Sequence, residues 1–126
     1  MAKKTLNDNI VGGIYEYYHV DDNKIYYRGS SEKTLEDLDD FHRKGHTYNI
    51  FKKNGWKYSY TVFRSNLRRP IGEKLKARWV VEPKEMSREQ LLQLESDSIK
   101  EKIKLGECTL NHDPEPLKSF LKYNPQ

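Results

Sequence analysis

The sequence has little cysteine and no long apolar run. Cys108 is the one cysteine among 126 residues, so the chain forms no internal disulfide and builds no cysteine-based zinc site by itself. No uninterrupted apolar stretch approaches the length of a membrane span. The first residues include Lys3 and Lys4, but no apolar segment of a signal peptide follows them. We therefore expect a soluble, cytoplasmic protein with no membrane partner.

Charged and aromatic residues are abundant instead. Lysine and arginine outnumber aspartate and glutamate by 23 to 19, and the formal charge is +4. A basic chain favours polyanionic partners, because cations near phosphates release condensed counterions on binding. Nine tyrosines can supply much of the area that one domain of this length buries. We predict a single domain over residues 1–126.

The pattern of β-branched and aromatic residues predicts a hairpin near the amino terminus. Its arms are residues 10–20 and 24–29, and turn-forming residues lie between them. A helix is expected next, capped by Ser30 or Ser31. Further along, the alternation of residues 56–63 predicts another strand.

A group of basic residues follows that predicted strand. Its members are Arg64, Arg68, Arg69, Lys74, Lys76 and Arg78. Pro70 and Gly72 interrupt the pattern, so we interpret residues 64–78 as an exposed basic insertion. It leads into a predicted strand over residues 77–81. The segment is either a solvated charged loop or a contact for a polyanion.

The best-defined helix contains an acidic residue on its apolar side. It is predicted to begin at Ser87, where Gln90 completes a capping box, and to end before Gly106. The apolar stripe consists of Leu91, Leu92, Leu94, Ile99 and Ile103. Glu95 falls among these residues at helical spacing, and a buried carboxylate is costly without a cation or strong donors. Glu95 is therefore a partly exposed residue at the edge of the apolar stripe, a member of a buried salt bridge, or a metal ligand.

Two triplets on the predicted hairpin carry a family resemblance. Gly13-Ile14-Tyr15 and, after eleven intervening residues, Tyr27-Arg28-Gly29 resemble the paired signature of the GIY-YIG nucleases. Arg28 stands where the family usually has an apolar residue. The segment 91–100 is similar to the metal-glutamate helix of the bacterial excision-repair incision subunit in this family. Asn111 is placed like the family's late asparagine. Independently of the resemblance, the tail after Asn111 is expected to form a loop and a short helix.

The resemblance implies an α+β fold, with a small mixed sheet of three or four strands flanked by helices and the active site on one face. It implies an endonuclease that hydrolyses DNA by in-line attack of water, with one Mg²⁺ or Mn²⁺ held by Glu95. Tyr15 and Tyr27 are then catalytic: one phenol orients or deprotonates the water, and the other binds a phosphate oxygen. Asn111 is expected to fix the geometry of this catalytic site by hydrogen bonding.

The chain departs from the family at the arginine that members usually carry on the first helix. The matching stretch, residues 32–40, is strongly acidic. Arg43 and Arg28 are the candidates for this catalytic role. We favour Arg43, because with His42 beside it a helical Arg/His pair reproduces the family's arrangement. Arg28 is expected to point to the opposite sheet face from Tyr27. His42 is catalytic in this interpretation, and a capped or solvated histidine in the plainer one.

Two functions are open, depending on whether another residue replaces the arginine that the family carries on the first helix. The first is a DNA endonuclease in which the basic insertion binds DNA through Arg64, Arg68, Arg69, Lys74, Lys76 and Arg78. The second is a nucleic-acid-binding module of the same fold with weak or no catalysis. We expect specificity to come from the insertion, from the tail or from a homodimer.

Overall fold

Three antiparallel strands form the centre of the protein. In the computed structural model, which describes residues 4–44, 63–111 and 113–126, they are β1 (Asn9–His19), β2 (Ile25–Ser31) and β3 (Leu75–Ser87). The strand order is β2-β1-β3, so β1 is central. β1 and β2 form the predicted hairpin, and Asn23 in its turn takes a positive φ of 62°, a conformation that asparagine tolerates.

The described helices flank this sheet. They are α1 (Leu35–Lys44), a 3₁₀ helix (Pro70–Lys74), α2 (Arg88–Lys104) and α3 (Pro116–Tyr123), and residues 63–67 are also helical. The predicted α+β class is confirmed. The expected mixed sheet is not seen among the described strands, which are all antiparallel. Residues 56–62, most of another predicted strand, lie outside the described residues.

Local signals set the ends of the helices. The Ser87 hydroxyl accepts a hydrogen bond from the Gln90 backbone, and the Gln90 side chain accepts one from the Ser87 backbone, which confirms the predicted capping box of α2. The predicted cap of α1 was wrong. Ser30 and Ser31 belong to β2, and the Thr34 hydroxyl instead accepts a bond of 3.2 Å from the backbone of the first turn.

An aromatic core lies on the face of the sheet that α1 covers. Its buried members are Tyr15, Tyr17, Tyr27, Leu38, Phe63, Leu67 and Leu75. The rings of Tyr27 and Phe63 stack with centroids 3.8 Å apart, which attaches helical residues 63–67 to the hairpin. The opposite face packs against α2 through a smaller cluster formed by Ile14, Met86 and Leu91. The tyrosines of the two triplets therefore belong to one face of the sheet.

A buried ion group crosses all three strands on the α2 face. The Glu16 carboxylate accepts a bond of 2.8 Å from Arg28 Nε in β2 and another of 2.8 Å from Arg78 Nε in β3. Arg28 Nη1 also donates to the Ser98 carbonyl of α2. Arg28 thus lies on the opposite face from Tyr27, as its strand position predicts.

The basic residues of 64–78 do not form one exposed loop, which corrects the sequence prediction. Arg64 is only 3% exposed, while Lys76 and Arg78 belong to β3. The segment packs against the protein because Leu67 and Leu75 are buried in the aromatic core. The exposed basic side chains are Arg68, Arg69, Lys74 and Lys76. Among the described helices, none has the length and apolar composition needed to cross a membrane.

Candidate active site

Three of the predicted site residues line one cavity at the outer edge of β2. The cavity has a volume of about 170 Å³, and its wall includes Tyr27, Glu95 and Asn111. Ser30 and Asp113 line it as well. β2, α2, the segment before α3 and α3 itself each contribute to the wall. Residues separated by more than eighty positions are thus brought together as the resemblance implies.

Glu95 is a half-buried carboxylate with one short hydrogen bond. The Ser30 hydroxyl donates to Glu95 Oε1 at 2.6 Å. Burial, the main cause, and the nearby negative charge of Asp113 together raise the pKa of Glu95 to about 7, against the opposing effect of the Ser30 hydrogen bonds. A cation in the cavity would offset both the lost hydration and the repulsion.

Asn111 binds the backbone of β2. Its side-chain carbonyl accepts from the Arg28 N–H at 2.9 Å, and its amide donates to the Arg28 carbonyl at 2.8 Å. Nearby, the N–H groups of Cys108 and Leu110 donate to the carbonyls of Ile25 and Tyr26. Residues 108–111 therefore follow the outer edge of β2. Asn111 positions this strand, and its contribution to a reaction stays a prediction.

Tyr15 lies on β1, directly opposite Gly29 of β2. A Cβ atom on Gly29 would lie 2.6 Å from Tyr15 Oη, so a side chain at this position would displace the phenol. Tyr15 lines a second cavity of about 220 Å³ together with His42 and Lys33. Ser30 lines both cavities. Tyr15 and Glu95 therefore line two different cavities that share Ser30. The expectation that one sheet face carries the whole site stays a prediction.

His42 is buried against Tyr15, so the interpretation as a solvated histidine was wrong. The side chain is 2% exposed, and its Nε2 lies 3.0 Å from Tyr15 Oη. Arg64 Nε donates to His42 Nδ1 at 3.3 Å. Burial lowers the pKa of His42 to about 3, with smaller contributions from the charges of Arg64 and Lys33. The imidazole is therefore neutral at physiological pH.

Acidification is expected to destabilise the protein through His42. The pKa of His42 falls from an ordinary 6.5 to about 3 on folding, so between these values the unfolded chain binds more protons. The free energy of unfolding therefore falls as pH drops through this range. Among the described residues, the phenols of Tyr15, Tyr17 and Tyr27 face the ring, and Arg64 and Lys33 contribute positive charge. We expect His42→Gln to flatten the dependence of the urea midpoint on pH.

The matched control is His19→Gln at the end of β1, which removes a histidine outside this cluster. Urea titrations between pH 4 and 7 measure the two slopes against that of the native chain. Equal slopes in both variants would show that the titration of His42 does not contribute to acid sensitivity.

Neither candidate arginine, Arg43 or Arg28, lines either cavity. Arg43 Nε donates to both carboxylate oxygens of Asp39 at 2.8 and 2.9 Å, and its Nη atoms donate to the carbonyls of Gly72 and Leu75. Successive helical residues point about 100° apart, so Arg43 does not share the direction of His42. It connects α1 to β3, while Arg28 is held by Glu16. A catalytic role for either arginine stays a prediction that this geometry does not favour.

The sequence did not predict that Ser30, Asp113 and Arg64 belong to the site. Ser30 directly follows the second triplet, and Asp113 lies two positions after Asn111, so both had a positional signal. Arg64 was hidden among other basic residues. The spacing of the apolar residues Phe63 and Leu67, four positions apart, indicates one turn of a helix that contains Arg64, but it does not reveal what buries that turn.

The cavity of Glu95 offers oxygen ligands. Within residues 4–44, 63–111 and 113–126, no three His, Cys, Asp or Glu side chains form a metal-binding group. Glu95, Asp113 and the Ser30 hydroxyl supply two carboxylates and a neutral oxygen around one cavity. This set suits Mg²⁺ or Mn²⁺, which bind few protein ligands and keep several waters.

No protein-family model, no curated protein and no solved structure matches the chain. The likeness to the GIY-YIG nucleases therefore depends on the two triplets, Glu95, Asn111 and their arrangement in space.

Proposed function

We propose that the protein is a metal-dependent DNA endonuclease of the GIY-YIG type. One observation supports this most: Tyr27, Glu95 and Asn111 come from the second triplet, the acidic helix and the late asparagine, and they line a single cavity. Tyr15 from the first triplet lies opposite Gly29 on the neighbouring strand β1. Three of the four motif elements thus share one cavity, and the fourth lines a cavity that has Ser30 in common with it.

Glu95 is the residue that would hold Mg²⁺ or Mn²⁺, with Asp113 as a second carboxylate in the same cavity. A bound divalent cation supplies a polarised water and neutralises charge on the phosphate. The Ser30 hydroxyl orients the Glu95 carboxylate through its bond of 2.6 Å. Asn111 holds the β2 backbone at Arg28, next to Tyr27, through its two hydrogen bonds.

The phenols act on the scissile phosphodiester. Tyr27 lines the cavity of Glu95 and hydrogen-bonds a phosphate oxygen. Tyr15 is linked to His42. In its phenolate form Tyr15 takes the proton of the attacking water and becomes a neutral phenol. A water molecule attacks phosphorus in line with the leaving 3′ or 5′ oxygen, so the bond to that oxygen breaks as the new bond to water forms.

Incubation with supercoiled plasmid tests this proposal. We expect nicked circles to accumulate with Mg²⁺ or Mn²⁺ and to be abolished by EDTA. DNA binding without any metal-dependent cleavage would contradict the endonuclease and support the nucleic-acid-binding module. That alternative has one observation in its favour, since Arg43 and Arg28 both point into protein contacts rather than into the cavities.

The exposed pair Arg68 and Arg69 is expected to bind DNA phosphates. Replacing both with glutamine should weaken binding and reduce the slope of log K against log salt by about 0.9 for each phosphate that is no longer neutralised. Fluorescence anisotropy with a labelled duplex, between about 50 and about 200 mM salt, measures this slope. The control is Lys104→Gln with Lys122→Gln, which removes the same charge from α2 and α3. An equal change in both doubles would indicate an effect of net charge rather than local binding.

A further inference from the structure

Tyr15, His42 and Arg64 form a buried chain of hydrogen bonds. Their exposed fractions are 2%, 2% and 3%, and they come from β1, α1 and helical residues 63–67. Tyr15 Oη lies 3.0 Å from His42 Nε2, and Arg64 Nε donates to His42 Nδ1 at 3.3 Å. The three side chains are therefore connected through one imidazole ring.

The arginine determines the direction of both hydrogen bonds. A guanidinium has donors only and keeps its charge in proteins, so His42 Nδ1 must be the acceptor. A neutral imidazole carries a single N–H, which must then be on Nε2. The His42 Nε2–H consequently donates to the phenol oxygen of Tyr15. A donor aimed at this oxygen stabilises negative charge there, and the adjacent cation reinforces it.

This arrangement is the opposite of a nucleophile–histidine–carboxylate triad. In such a triad the carboxylate accepts from the imidazole, which makes the other ring nitrogen a base. Here a cation donates to the imidazole, which makes the other ring nitrogen a donor. His42 is therefore not the group that removes the proton of Tyr15. The ring centroid of Phe41 lies 4.5 Å from the Arg64 guanidinium carbon, and this ring helps to accommodate the buried charge.

We propose that Arg64 is a positioning residue that holds His42 in the Nε2–H tautomer, so that His42 donates to Tyr15 and stabilises its phenolate. The proposal rests on the proposed function for its catalytic consequence. The tautomer itself is a property of the folded chain that can be measured without DNA or metal.

NMR of the full chain with ¹⁵N-labelled histidine tests the tautomer. The signals of His42 are assigned by their loss in His42→Gln. We expect the native protein to show a protonated Nε2 and an unprotonated Nδ1 at pH 7. In Arg64→Met, or Arg64→Gln if the methionine variant does not fold, we expect a mixture of tautomers. An Nδ1–H tautomer in the native protein would overturn the proposal, and so would an unchanged Nε2–H tautomer in the variant.

Plasmid nicking as a function of pH tests the catalytic consequence. We expect Arg64→Met to nick at least about 10-fold more slowly than the native protein near pH 7, since the loss of one stabilising donor can cost more than this. Part of the rate should return at higher pH, where the phenolate forms without help, and Arg64→Lys should restore activity in part. A loss that is equal at every pH would indicate a merely structural role. If the native protein does not nick DNA, the proposed function fails while the NMR result still decides the tautomer.

Discussion

Glu95→Gln is expected to slow metal-dependent nicking by at least about 100-fold, the effect of removing a charged group that acts on the transition state. Glutamine keeps the size of the side chain and an oxygen that accepts from Ser30, so the hydrogen bond of 2.6 Å need not be lost. It lacks the negative charge that binds a divalent cation. The rate of nicked-circle formation in Mg²⁺ measures the change, and the affinity for DNA in EDTA should stay the same.

Glu89→Gln is the matched control, because Glu89 is an exposed residue of the same helix. It should nick at the native rate. The stability of Glu95→Gln is informative as well: burial disfavours the carboxylate, so its neutral replacement should not lower the free energy of unfolding. A Glu95→Gln variant that nicks at more than a tenth of the native rate would remove the metal ligand from the proposed mechanism.

Arg28→Met is expected to lower the free energy of unfolding by about 3–5 kcal/mol, the usual cost of breaking a buried ion pair from one side. The Arg28 side chain is 8% exposed, and the Glu16 carboxylate that it leaves behind is 7% exposed. Urea denaturation followed by circular dichroism measures the change. At urea concentrations below its unfolding transition the variant should still nick DNA, because Arg28 binds Glu16 and α2 and does not line either cavity.

Arg78→Met separates burial from charge in this group. Arg78 donates to the same carboxylate at the same distance of 2.8 Å, but its side chain is 39% exposed. Solvent screens such an ion pair, so we expect a loss of about 1 kcal/mol or less. The double variant Glu16→Gln, Arg28→Met should recover part of the stability that Arg28→Met loses. Equal losses for the two arginine variants would mean that burial does not control this ion group.

The sequence predicted those parts of the fold that local interactions determine. The hairpin follows from alternation and turn residues, and α2 follows from the capping box at Ser87 and Gln90. The location of Glu95 on the packed side of α2 follows from helical spacing. These features were predictable because each depends on residues within a few positions of one another.

The remaining features depend on contacts between distant segments. The burial of Arg64 requires Phe63 to stack on Tyr27 of the hairpin, which no local pattern reveals. Arg43 looked like half of a catalytic pair, yet carbonyls beyond α1 bind its guanidinium. The charge and spacing of residues indicate where a helix or a basic segment lies. They do not indicate which group a long side chain such as arginine will bind, because that depends on how the helices and strands pack.

The segment 108–111 has a consequence for assembly. Open strand edges invite edge-to-edge pairing with another copy, and that pairing is a common route to aggregation. Backbone groups of Cys108 and Leu110 and the amide of Asn111 already occupy positions on the outer edge of β2. A second chain would have to displace them before it could extend the sheet there. Residues 108–111, which supply Asn111 to the wall of the cavity, thus also hinder edge-to-edge pairing of β2 with a second copy of the chain.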